Sequence, residues 1–414
     1  MRLKIILLTF LSLLFVRCSG NGEQPDVDFK YITDVEVISH QAHNVKIDNF
    51  QRTIELLFER GGDLSKVELK LTLANGVEMV APQMVTAMYD LTSVAEIRLK
   101  KNNDVATFKI YVRFKSAPLA VSTSHWEKKE GFGTLPDYIS VYSYKKDISG
   151  KLTRAFIAVA DIGEGKGRFK VLGEKKGVAT LTQFYTNNTK PSVIINGGFF
   201  WNGTSLNLLI KNGVTISTSE PMVNRDYNGQ ATPYYPTQGA FGLEEDGSFS
   251  AQWVYNVSGT LYAYPQPAPN VAGEQPQPRP SSTFPVGAKV WTPAEAIGAG
   301  PLLIKNGEYK NLWENELFDA ASGVGPTYNH PRSAVGYHPN GYVVFFVCEG
   351  RNKTPNTPGM TLKNVADILL ELGCTEAINL DGGGSSCMLV NGVETIIPSD
   401  ANGQRTVTSA LAIY

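Results

Sequence analysis

The stretch Asn379-Leu380-Asp381-Gly382-Gly383-Gly384-Ser385-Ser386 lies between a helix-like segment and the apolar run 387–390. Three consecutive glycines are unfavourable in a helix or a strand, because each loses more backbone entropy on folding than any other residue. Such a run is expected where the backbone takes left-handed angles or lets a ligand approach closely. A carboxylate and two hydroxyls flank the glycines, so the loop predicts a wall for a sugar or a phosphate, with backbone N–H donors. A tight turn between two strands is the alternative.

Three other short blocks lie upstream of this loop: Asn196-Gly197-Gly198-Phe199-Phe200, Pro331-Arg332-Ser333-Ala334-Val335-Gly336 and Glu349-Gly350-Arg351. In this order, and together with the glycine-rich loop, they resemble the phosphodiester glycosidase family, the bacterial relatives of the mammalian "uncovering enzyme". The resemblance covers the larger, C-terminal part of the chain. It implies hydrolysis of a sugar-1-phosphodiester such as an N-acetylglucosamine-1-phosphodiester. One fold commonly hosts several activities, so the substrate follows less directly than the family.

Composition places the chain among soluble globular proteins. Of its 414 residues, 42% are hydrophobic and 19% are charged, and the formal net charge is −1. This length predicts two or three domains. A nucleic-acid partner is not expected, because nucleic-acid-binding proteins usually present a basic face and this chain is nearly neutral.

The N-terminus has the pattern of an export signal. Arg2 and Lys4 precede the apolar run 5–16, which is shorter than the ~20 residues that a transmembrane helix needs. Residues 1–18 resemble a lipoprotein signal in which Cys18 carries a lipid and anchors the protein to the membrane. Arg17 departs from the small residue usual at that position, and ordinary signal cleavage a few residues later is the alternative. Both alternatives predict an extracytoplasmic protein, and the first predicts a lipid-anchored protein of the bacterial envelope, periplasmic or at the cell surface.

The remaining cysteines are Cys348, Cys374 and Cys387, and no CxxC spacing occurs. A zinc site is therefore not expected. Buried free thiols are the simpler interpretation, and one disulfide is the alternative outside the cell. The sequence requires no cofactor. A divalent metal such as calcium stays an open alternative, held by Asp381, Asn379 and backbone carbonyls.

Residues 26–115 predict a small all-β, immunoglobulin-like module with a spacing or docking role. Short β-rich runs recur at 35–38, 53–58 and 107–114, and residues 67–73 alternate between apolar and polar. Asn75-Gly76 follows and predicts a hairpin turn. The fold class that we expect is therefore α+β, with a mostly antiparallel catalytic domain of few helices after a small all-β sandwich-like domain.

Residues 116–414 predict that catalytic domain. Asn-Gly pairs at 202, 212, 306, 340 and 391 lie mostly between apolar runs, which predicts two-residue hairpins. Two helices are expected, at Thr180 to about Asn187 and at Thr361 to Leu372, each with a threonine cap. Residues 265–285 carry seven prolines and predict an extended insertion, either a loop over the site or a flexible excursion.

The reaction implied by the family defines what the site must contain. The leaving group is a phosphate monoester, which is already stable as an anion and hardly needs the protonation that an alcohol needs. The site must therefore hold phosphate charge and direct water or a nucleophile to the anomeric carbon. We expect Arg332 and Arg351 to bind the phosphate, because a guanidinium matches its geometry. We expect Asp381 or Glu349 to be the base or nucleophile, with the other orienting sugar hydroxyls.

For several of these residues, a purely structural role is the alternative to a role in binding or catalysis. Glu349 and Arg351 could form a structural ion pair, Arg332 could anchor a loop, and His330 could be a structural residue. Trp201 is the better candidate for stacking on a sugar, because Phe199 and Phe200 suit a core. The remaining substrate-binding candidates are backbone or polar groups of the motifs: Asn196, Gly197, Gly198, His330, Gly382, Gly383, Gly384, Ser385 and Ser386.

The function expected from these observations is an exported hydrolase that cleaves the glycosidic bond of a sugar-1-phosphodiester, on a sugar-phosphate or phosphoglycan substrate. The products would be free sugar and a phosphomonoester. A non-catalytic carbohydrate-binding surface lipoprotein is one alternative, and a phosphodiesterase that attacks phosphorus is another. Two arginines and two carboxylates favour an enzyme, since a pure sugar-binding module depends more on aromatic residues.

Overall fold

A computed structural model describes residues 30–115, 117–163 and 166–414. The predicted signal segment 1–18, with Cys18, lies outside these residues. Within the described ranges, no helix combines the length and the apolar character that crossing a membrane would need.

Two sheets form the first part of the chain. The first contains β1 (Ile32–Val37), β4 (Val67–Leu73) and β6 (Thr86–Tyr89). The second contains, in spatial order, β2 (Ala42–Asp48), β3 (Thr53–Phe58), β8 (Asp104–Phe114), β7 (Ala95–Lys101) and β5 (Val77–Ala81). Alternate side chains of both sheets, among them Leu56, Leu69 and Phe108, bury a shared apolar core. Residues 30–115 thus have the expected sandwich-like arrangement, which supports our proposal that the predicted segment 26–115 is a separate module.

The prediction of a hairpin at Asn75-Gly76 is wrong. Gly76 does take a left-handed φ of 75° in a turn, but β4 pairs with β1 and β6, whereas β5 pairs with β7. The turn therefore passes the chain from one sheet to the other. Local turn chemistry specifies the reversal of the chain, while the partner of each strand is set by the core that the two sheets share.

An eight-stranded sheet forms the centre of the second part. Its strands, in spatial order, are β26 (Glu308–Tyr309), β25 (Leu302–Lys305), β29 (Glu376–Asn379), β27 (Arg332–His338), β28 (Tyr342–Cys348), β11 (Ala155–Asp161), β10 (Ile139–Tyr144) and β9 (Trp126–Lys128). The continuous apolar run in β28 is covered on both faces. Phe345 joins one hydrophobic cluster and Phe346 joins another.

Two further sheets pack against it. The seven-stranded sheet has the order β17 (Val214–Ser217), β16 (Leu209–Lys211), β24 (Glu295–Gly298), β20 (Gln238–Leu243), β21 (Phe249–Val257), β22 (Thr260–Tyr264) and β23 (Lys289–Val290). The five-stranded sheet has the order β12 (Phe169–Gly173), β32 (Ser409–Ile413), β13 (Val193–Asn196), β30 (Met388–Val390) and β31 (Val393–Glu394). Two separate hairpins are β14 (Phe200–Trp201) with β15 (Thr204–Ser205), and β18 (Val223–Tyr227) with β19 (Gln230–Tyr234).

The main core lies where the three larger sheets meet. Phe345 of β28, Trp253 of β21 and Leu411 of β32 all belong to it, and each is at most 1% exposed. The strand pairings described in this part are antiparallel, including those of the central strands. The predicted fold class is confirmed: the chain is mostly antiparallel sheet with two α-helices among the described residues.

Both helices occur where the sequence places them. α1 (Leu181–Asn187) follows Thr180, and α2 (Leu362–Glu371) follows Thr361. Each threonine accepts a hydrogen bond from the third residue of its helix, whose side chain bonds back to the threonine N–H, which completes a capping box. The apolar face of α2 covers the outer face of the eight-stranded sheet through residues such as Val365 and Leu369.

Four of the five Asn-Gly pairs predicted in this part form turns with positive φ at both residues, at Asn202, Asn212, Asn306 and Asn391. They connect the strand pairs β14–β15, β16–β17, β25–β26 and β30–β31. The pair at Asn340 connects β27 and β28, yet only Gly341 has a positive φ, because the turn begins two residues earlier at His338.

The three described cysteines, Cys348, Cys374 and Cys387, are buried free thiols. The proline-rich segment 265–285 is irregular but fixed to the seven-stranded sheet. Ala268 N–H donates to Thr237, Arg279 donates to the Tyr255 hydroxyl, and Tyr264 donates to the Ser281 carbonyl. These contacts argue against a flexible excursion.

Candidate active site

Strand register brings the sequence motifs to one end of the eight-stranded sheet. Arg332 begins β27 and lies opposite Cys348, the last residue of β28. Asn379 ends β29 and lies opposite Ala334 of β27. Because neighbouring strands run in opposite directions, the start of β27 and the ends of β28 and β29 meet at the same edge. Glu349, Arg351 and Asp381 therefore leave the sheet on the side where Arg332 enters it.

Two cavities open at this edge. The larger is a cleft of about 680 Å³ and the smaller a cavity of about 170 Å³. The smaller cavity is polar and is lined by Phe199, Ser322, Gly323, Val324, His330, Arg332, Arg351, Asp381, Gly382, Gly383 and Arg405. Asp381, Arg405 and Phe199 line both cavities, so the two spaces join beside these side chains.

Asp381 is the carboxylate at this junction. Enclosure by the surrounding protein removes water from it and raises its pKa to about 6. Hydrogen bonds from the Ser385 hydroxyl and the Gly382 N–H, and the positive charges of Arg405 and Arg351, oppose that rise. The side chain remains partly exposed to the cavities. An ionisable carboxylate with a raised pKa beside two cations is typical of a catalytic position.

Arg405 is a site residue that the sequence analysis missed. Its Nε and Nη2 donate to the two carboxylate oxygens of Asp400 at 2.7 and 2.9 Å, and its Nη1 lies 3.4 Å from the Ser385 hydroxyl. Asp400 thus holds the guanidinium plane in place, with one edge at the junction of the cavities. Arg405 stands in a polar loop without a recognisable motif, so only the fold reveals its position.

Arg351 lies on the other side of the glycine-rich loop. It has a left-handed φ of 56°, its side chain extends alongside Gly383, and its Nη1 lies 3.5 Å from the Ser399 hydroxyl. The residue is exposed, so its guanidinium can meet a ligand in the smaller cavity without breaking a buried contact. The ion pair with Glu349 that the sequence allowed does not form; Glu349 pairs with Arg154 instead.

Arg332 lines the cavity, but its surroundings differ from those expected of a residue that binds phosphate. It is 2% exposed. Its guanidinium donates four hydrogen bonds, to the carbonyls of Met360, Val324, Gly325 and Tyr328, at 2.6–3.0 Å. These bonds use most of its donors, which leaves little capacity for phosphate. The structure favours the alternative, in which Arg332 anchors the loop 324–328.

Glu349 likewise lies in surroundings that suit a structural role. Its side chain is fully buried, accepts a hydrogen bond from the Ile397 N–H at 3.1 Å and pairs with Arg154 at 3.4 Å. Among the described residues that line the two cavities, Glu349 is absent. Of the two carboxylates proposed as base or nucleophile, the geometry therefore favours Asp381.

Asn196 supports Asp381 from behind rather than holding a sugar hydroxyl. It is completely buried; its Nδ2 donates to the Asp381 carbonyl at 2.7 Å, and its Oδ1 accepts from Ser333 and from the Cys387 N–H. Gly197 and Gly198 are also buried. A β-carbon on Gly197 would collide with Ser409, and one on Gly198 with the Gly298 carbonyl. The close approach that these glycines permit is to neighbouring atoms of the protein itself, not to a ligand.

The glycine-rich loop contributes less backbone to a ligand than predicted. Gly382 and Gly383 line the smaller cavity, and Gly383 takes a φ of 60°. The N–H groups of Gly383, Ser385 and Ser386 already donate to carbonyls in a short 3-10 turn and to Pro331. Gly384, Ser385 and Ser386 are buried, and a β-carbon on Gly384 would collide with Asp400. The loop therefore shapes the cavity and fixes Arg405, while side chains supply the charge.

His330 lines the smaller cavity, where burial and the neighbouring charges of Arg332 and Arg351 lower its pKa. The imidazole is therefore neutral at physiological pH and can accept or donate one hydrogen bond there. Across the described ranges, no group of three or more His, Cys, Asp or Glu side chains is arranged to hold a metal ion.

The larger cleft combines an aromatic wall with a polar floor. Phe199, Phe318 and the exposed Trp201 line it, together with Gln238. Residues of the segment 265–285 are absent from its described lining, so that segment does not cover the cleft.

Glu316, which the sequence analysis missed, also lines this cleft, although it is only 2% exposed. Burial raises its pKa to about 7, and its two oxygens accept hydrogen bonds from the N–H groups of Gly239 and Leu302, both at 2.9 Å. Glu316 thereby ties the seven-stranded sheet to the eight-stranded sheet under the site.

Residues 189–414, more than half of the chain, match the phosphodiester glycosidase family. The chain belongs to this family. The resemblance seen in the sequence motifs is thus confirmed. Human N-acetylglucosamine-1-phosphodiester alpha-N-acetylglucosaminidase is 38% identical to the chain over 69 residues, and the mouse protein is 36% identical over 69 residues. Each alignment covers 17% of this chain and only 13% of the mammalian protein.

Two solved structures are similar to this chain. The zebrafish N-acetylglucosamine-1-phosphodiester alpha-N-acetylglucosaminidase catalytic domain has a TM-score of 0.45 at 18% identity, covering 70% of this chain and 88% of that one. A hypothetical protein from Synechocystis has a TM-score of 0.46 at 17% identity, covering 85% of this chain and 75% of that one.

Proposed function

We propose that this phosphodiester glycosidase family member hydrolyses the bond between the anomeric carbon and the phosphate oxygen of a sugar-1-phosphodiester. The observation that carries the proposal is the position of Asp381. It stands between two guanidinium groups, where a small charged cavity joins a larger cleft with aromatic walls. This arrangement matches a substrate with a compact anion on one side of the reacting carbon and a sugar ring on the other.

The smaller cavity is assigned to the phosphate. Arg405 and Arg351 bring two positive charges to it, and neutral His330 adds one hydrogen bond. As the bond between carbon and oxygen breaks, negative charge accumulates on the departing phosphate. Fixed cations stabilise that charge most when they need not move, and the pairing of Arg405 with Asp400 holds it in advance.

Asp381 is assigned to the anomeric carbon. In its ionised form it either removes a proton from the attacking water or attacks the carbon itself, with water releasing the sugar in a second step. Both routes add one water molecule and release free sugar and a phosphomonoester. Asn196 holds the Asp381 backbone from the buried side, so the carboxylate is positioned before substrate arrives.

The proposal is tested with N-acetylglucosamine-1-phospho-methyl ester in oxygen-18 water. That sugar is chosen because the mammalian relatives act on N-acetylglucosamine-1-phosphodiesters. Label in free N-acetylglucosamine indicates attack at carbon. Label in phosphate indicates attack at phosphorus and overturns the proposed bond cleavage. Binding of the sugar without any turnover would support a non-catalytic carbohydrate-binding protein instead.

Three isosteric variants identify the carboxylate. Asp381→Asn should lower kcat at least ~10³-fold, as expected when a group that acts only in the transition state is removed. Glu349→Gln should retain turnover, since that side chain is buried against Arg154 outside the cavities. Asp367→Asn, on the outer surface of α2, is the matched control. Equal losses in Asp381→Asn and Glu349→Gln would contradict the assignment.

We also propose that the protein is exported and anchored through a lipid on Cys18, supported by the charged and apolar segments that precede it. Mass spectrometry of the full-length protein from membranes should find a diacylglyceryl group on that cysteine. A Cys18→Ala variant should leave the membrane fraction. An unmodified Cys18 in the membrane-associated protein would contradict the anchor.

A further inference from the structure

The larger cleft, with a volume of about 680 Å³, has room for more than one sugar ring, and part of its lining is exposed. Trp201, which is 70% exposed, and Met222, which is 40% exposed, both line it. Phe199, by contrast, lies at the inner end, where the cleft meets the smaller cavity and Asp381. The aromatic lining therefore continues outward from the reacting centre to the rim.

Trp201 is presented by a fixed hairpin. It belongs to β14, and the turn Asn202-Gly203, with φ values of 46° and 69°, connects it to β15. The Gly203 carbonyl accepts a hydrogen bond from the Gly177 N–H at 2.9 Å, and the Ser205 N–H donates to the Lys175 carbonyl at 2.9 Å. These bonds to the segment 175–177 fix the backbone of the hairpin, while the indole of Trp201 itself stays exposed to the cleft.

We infer that this rim is a second sugar subsite, so that the substrate glycan has at least two sugars on the non-phosphate side of the scissile bond. The inference rests on the proposed function, which sets the direction in which the substrate lies along the cleft. Phosphate in the smaller cavity places the first sugar beside Asp381 and Phe199. A second sugar, linked to the first, then reaches Trp201, whose flat face can cover one face of the ring. Oligosaccharide-1-phosphodiesters are thus the preferred substrate class.

The kinetic test compares two substrates, the methyl phosphodiesters of N-acetylglucosamine and of N,N′-diacetylchitobiose. The wild-type protein should show kcat/KM higher by about tenfold for the two-sugar substrate, a difference of the size that one aromatic contact with its buried area supplies. Trp201→Ala should remove that preference and leave the one-sugar kcat/KM nearly unchanged, because only the second sugar reaches Trp201. Phe50→Ala, which removes another exposed aromatic residue in the N-terminal module, is the control and should leave both values unchanged.

A binding test separates this inference from the proposed chemistry. Neutral N,N′-diacetylchitobiose, cellobiose and α-1,2-mannobiose are titrated into the wild-type protein and Trp201→Ala by calorimetry. Binding of at least one disaccharide more tightly than its monosaccharide, lost in Trp201→Ala, supports the subsite even if no phosphodiester is hydrolysed. Hydrolysis with equal one-sugar and two-sugar kcat/KM values, and no disaccharide binding, would overturn the subsite and leave the proposed function standing.

Discussion

Arg332 and Arg405 both line the smaller cavity, together with Arg351, and the fold uses these two side chains differently. Arg332 is buried, and four backbone carbonyls occupy its guanidinium. Arg405 is more exposed; Asp400 is its carboxylate partner, and its Nη1 lies near the Ser385 hydroxyl where the cavities meet at Asp381. The sequence motif contains Arg332 and omits Arg405. The comparison teaches that an arginine within a motif can belong to the scaffold, while a loop without a motif can bring another arginine to the same cavity.

The largest effect is expected when the scaffold arginine is removed. Arg332→Met leaves the carbonyls of Val324, Gly325 and Tyr328 without their donor, and each unmet buried group costs ~1–3 kcal/mol. We expect the free energy of unfolding of the catalytic part to fall by ~3–5 kcal/mol, measured by urea denaturation. Arg332→Lys, which keeps one cationic donor, should lose less. If the Arg332→Met protein were as stable as the wild type but bound phosphate poorly, Arg332 would be a phosphate-binding residue and not part of the scaffold.

The next largest effect is expected when Arg405 is replaced. Arg405→Met should keep its fold and lower kcat/KM by ~10–100-fold, which corresponds to one charge-assisted hydrogen bond of ~1.5–3 kcal/mol. Steady-state kinetics with the one-sugar phosphodiester measures it. Asp400→Asn keeps the charge of Arg405 but weakens its orientation, so a smaller loss is expected. If Arg405→Met hydrolysed its substrate normally, Arg405 would be a scaffold residue like Arg332.

The pH dependence of stability sharpens the same comparison, because Asp381 is the carboxylate beside Arg405 and Arg351. Its folded-state pKa of about 6 lies above the ordinary value of 3.8. The folded state therefore binds the proton more tightly, and stability falls as pH rises from about 4 through 6. Asp381→Asn removes this cost, and it should be more stable than the wild type by ~1–3 kcal/mol at pH 8 and by little at pH 4.

Activity should show the opposite dependence on pH. Because the ionised carboxylate acts in the proposed mechanism, kcat/KM should rise as pH increases through about 6. Thermal melts of the wild type and Asp381→Asn at several pH values, with matched kinetics, provide the measurement. A kcat/KM that stayed flat between pH 4 and 8 would exclude Asp381 as the group that must ionise.

The smallest effect is expected at Arg351. Its side chain is exposed, and water screens its charge, so Arg351→Met should lower kcat/KM by only ~2–5-fold. The loss should shrink further when salt is raised towards 1 M, since screening shortens the reach of an exposed charge. Arg351→Lys should be nearly normal. A loss as large as that of Arg405→Met would show that substrate binding buries Arg351.

Local sequence was sufficient for the features that depend on near neighbours. Capping boxes at Thr180 and Thr361 set the starts of both helices, because a cap is satisfied within one turn. Most Asn-Gly pairs gave the predicted turns, because a left-handed φ is a property of the residue itself. The pair Asn75-Gly76 shows the limit. Its turn forms, but the strand that follows, β5, pairs with β7 because of a core assembled from distant residues.

The sequence by itself determined the family, the mostly antiparallel fold and Asp381 as a candidate carboxylate. Only the tertiary structure decided which charges are free. The Arg332 guanidinium donates to the carbonyls of the loop 324–328 and of Met360, and Glu349 is buried beside Arg154, whereas Arg405 reaches the site through the turn with Asp400. A residue type specifies what chemistry a side chain can perform. Burial and hydrogen-bond partners, which arise when strands pair, decide whether that chemistry is available to a ligand.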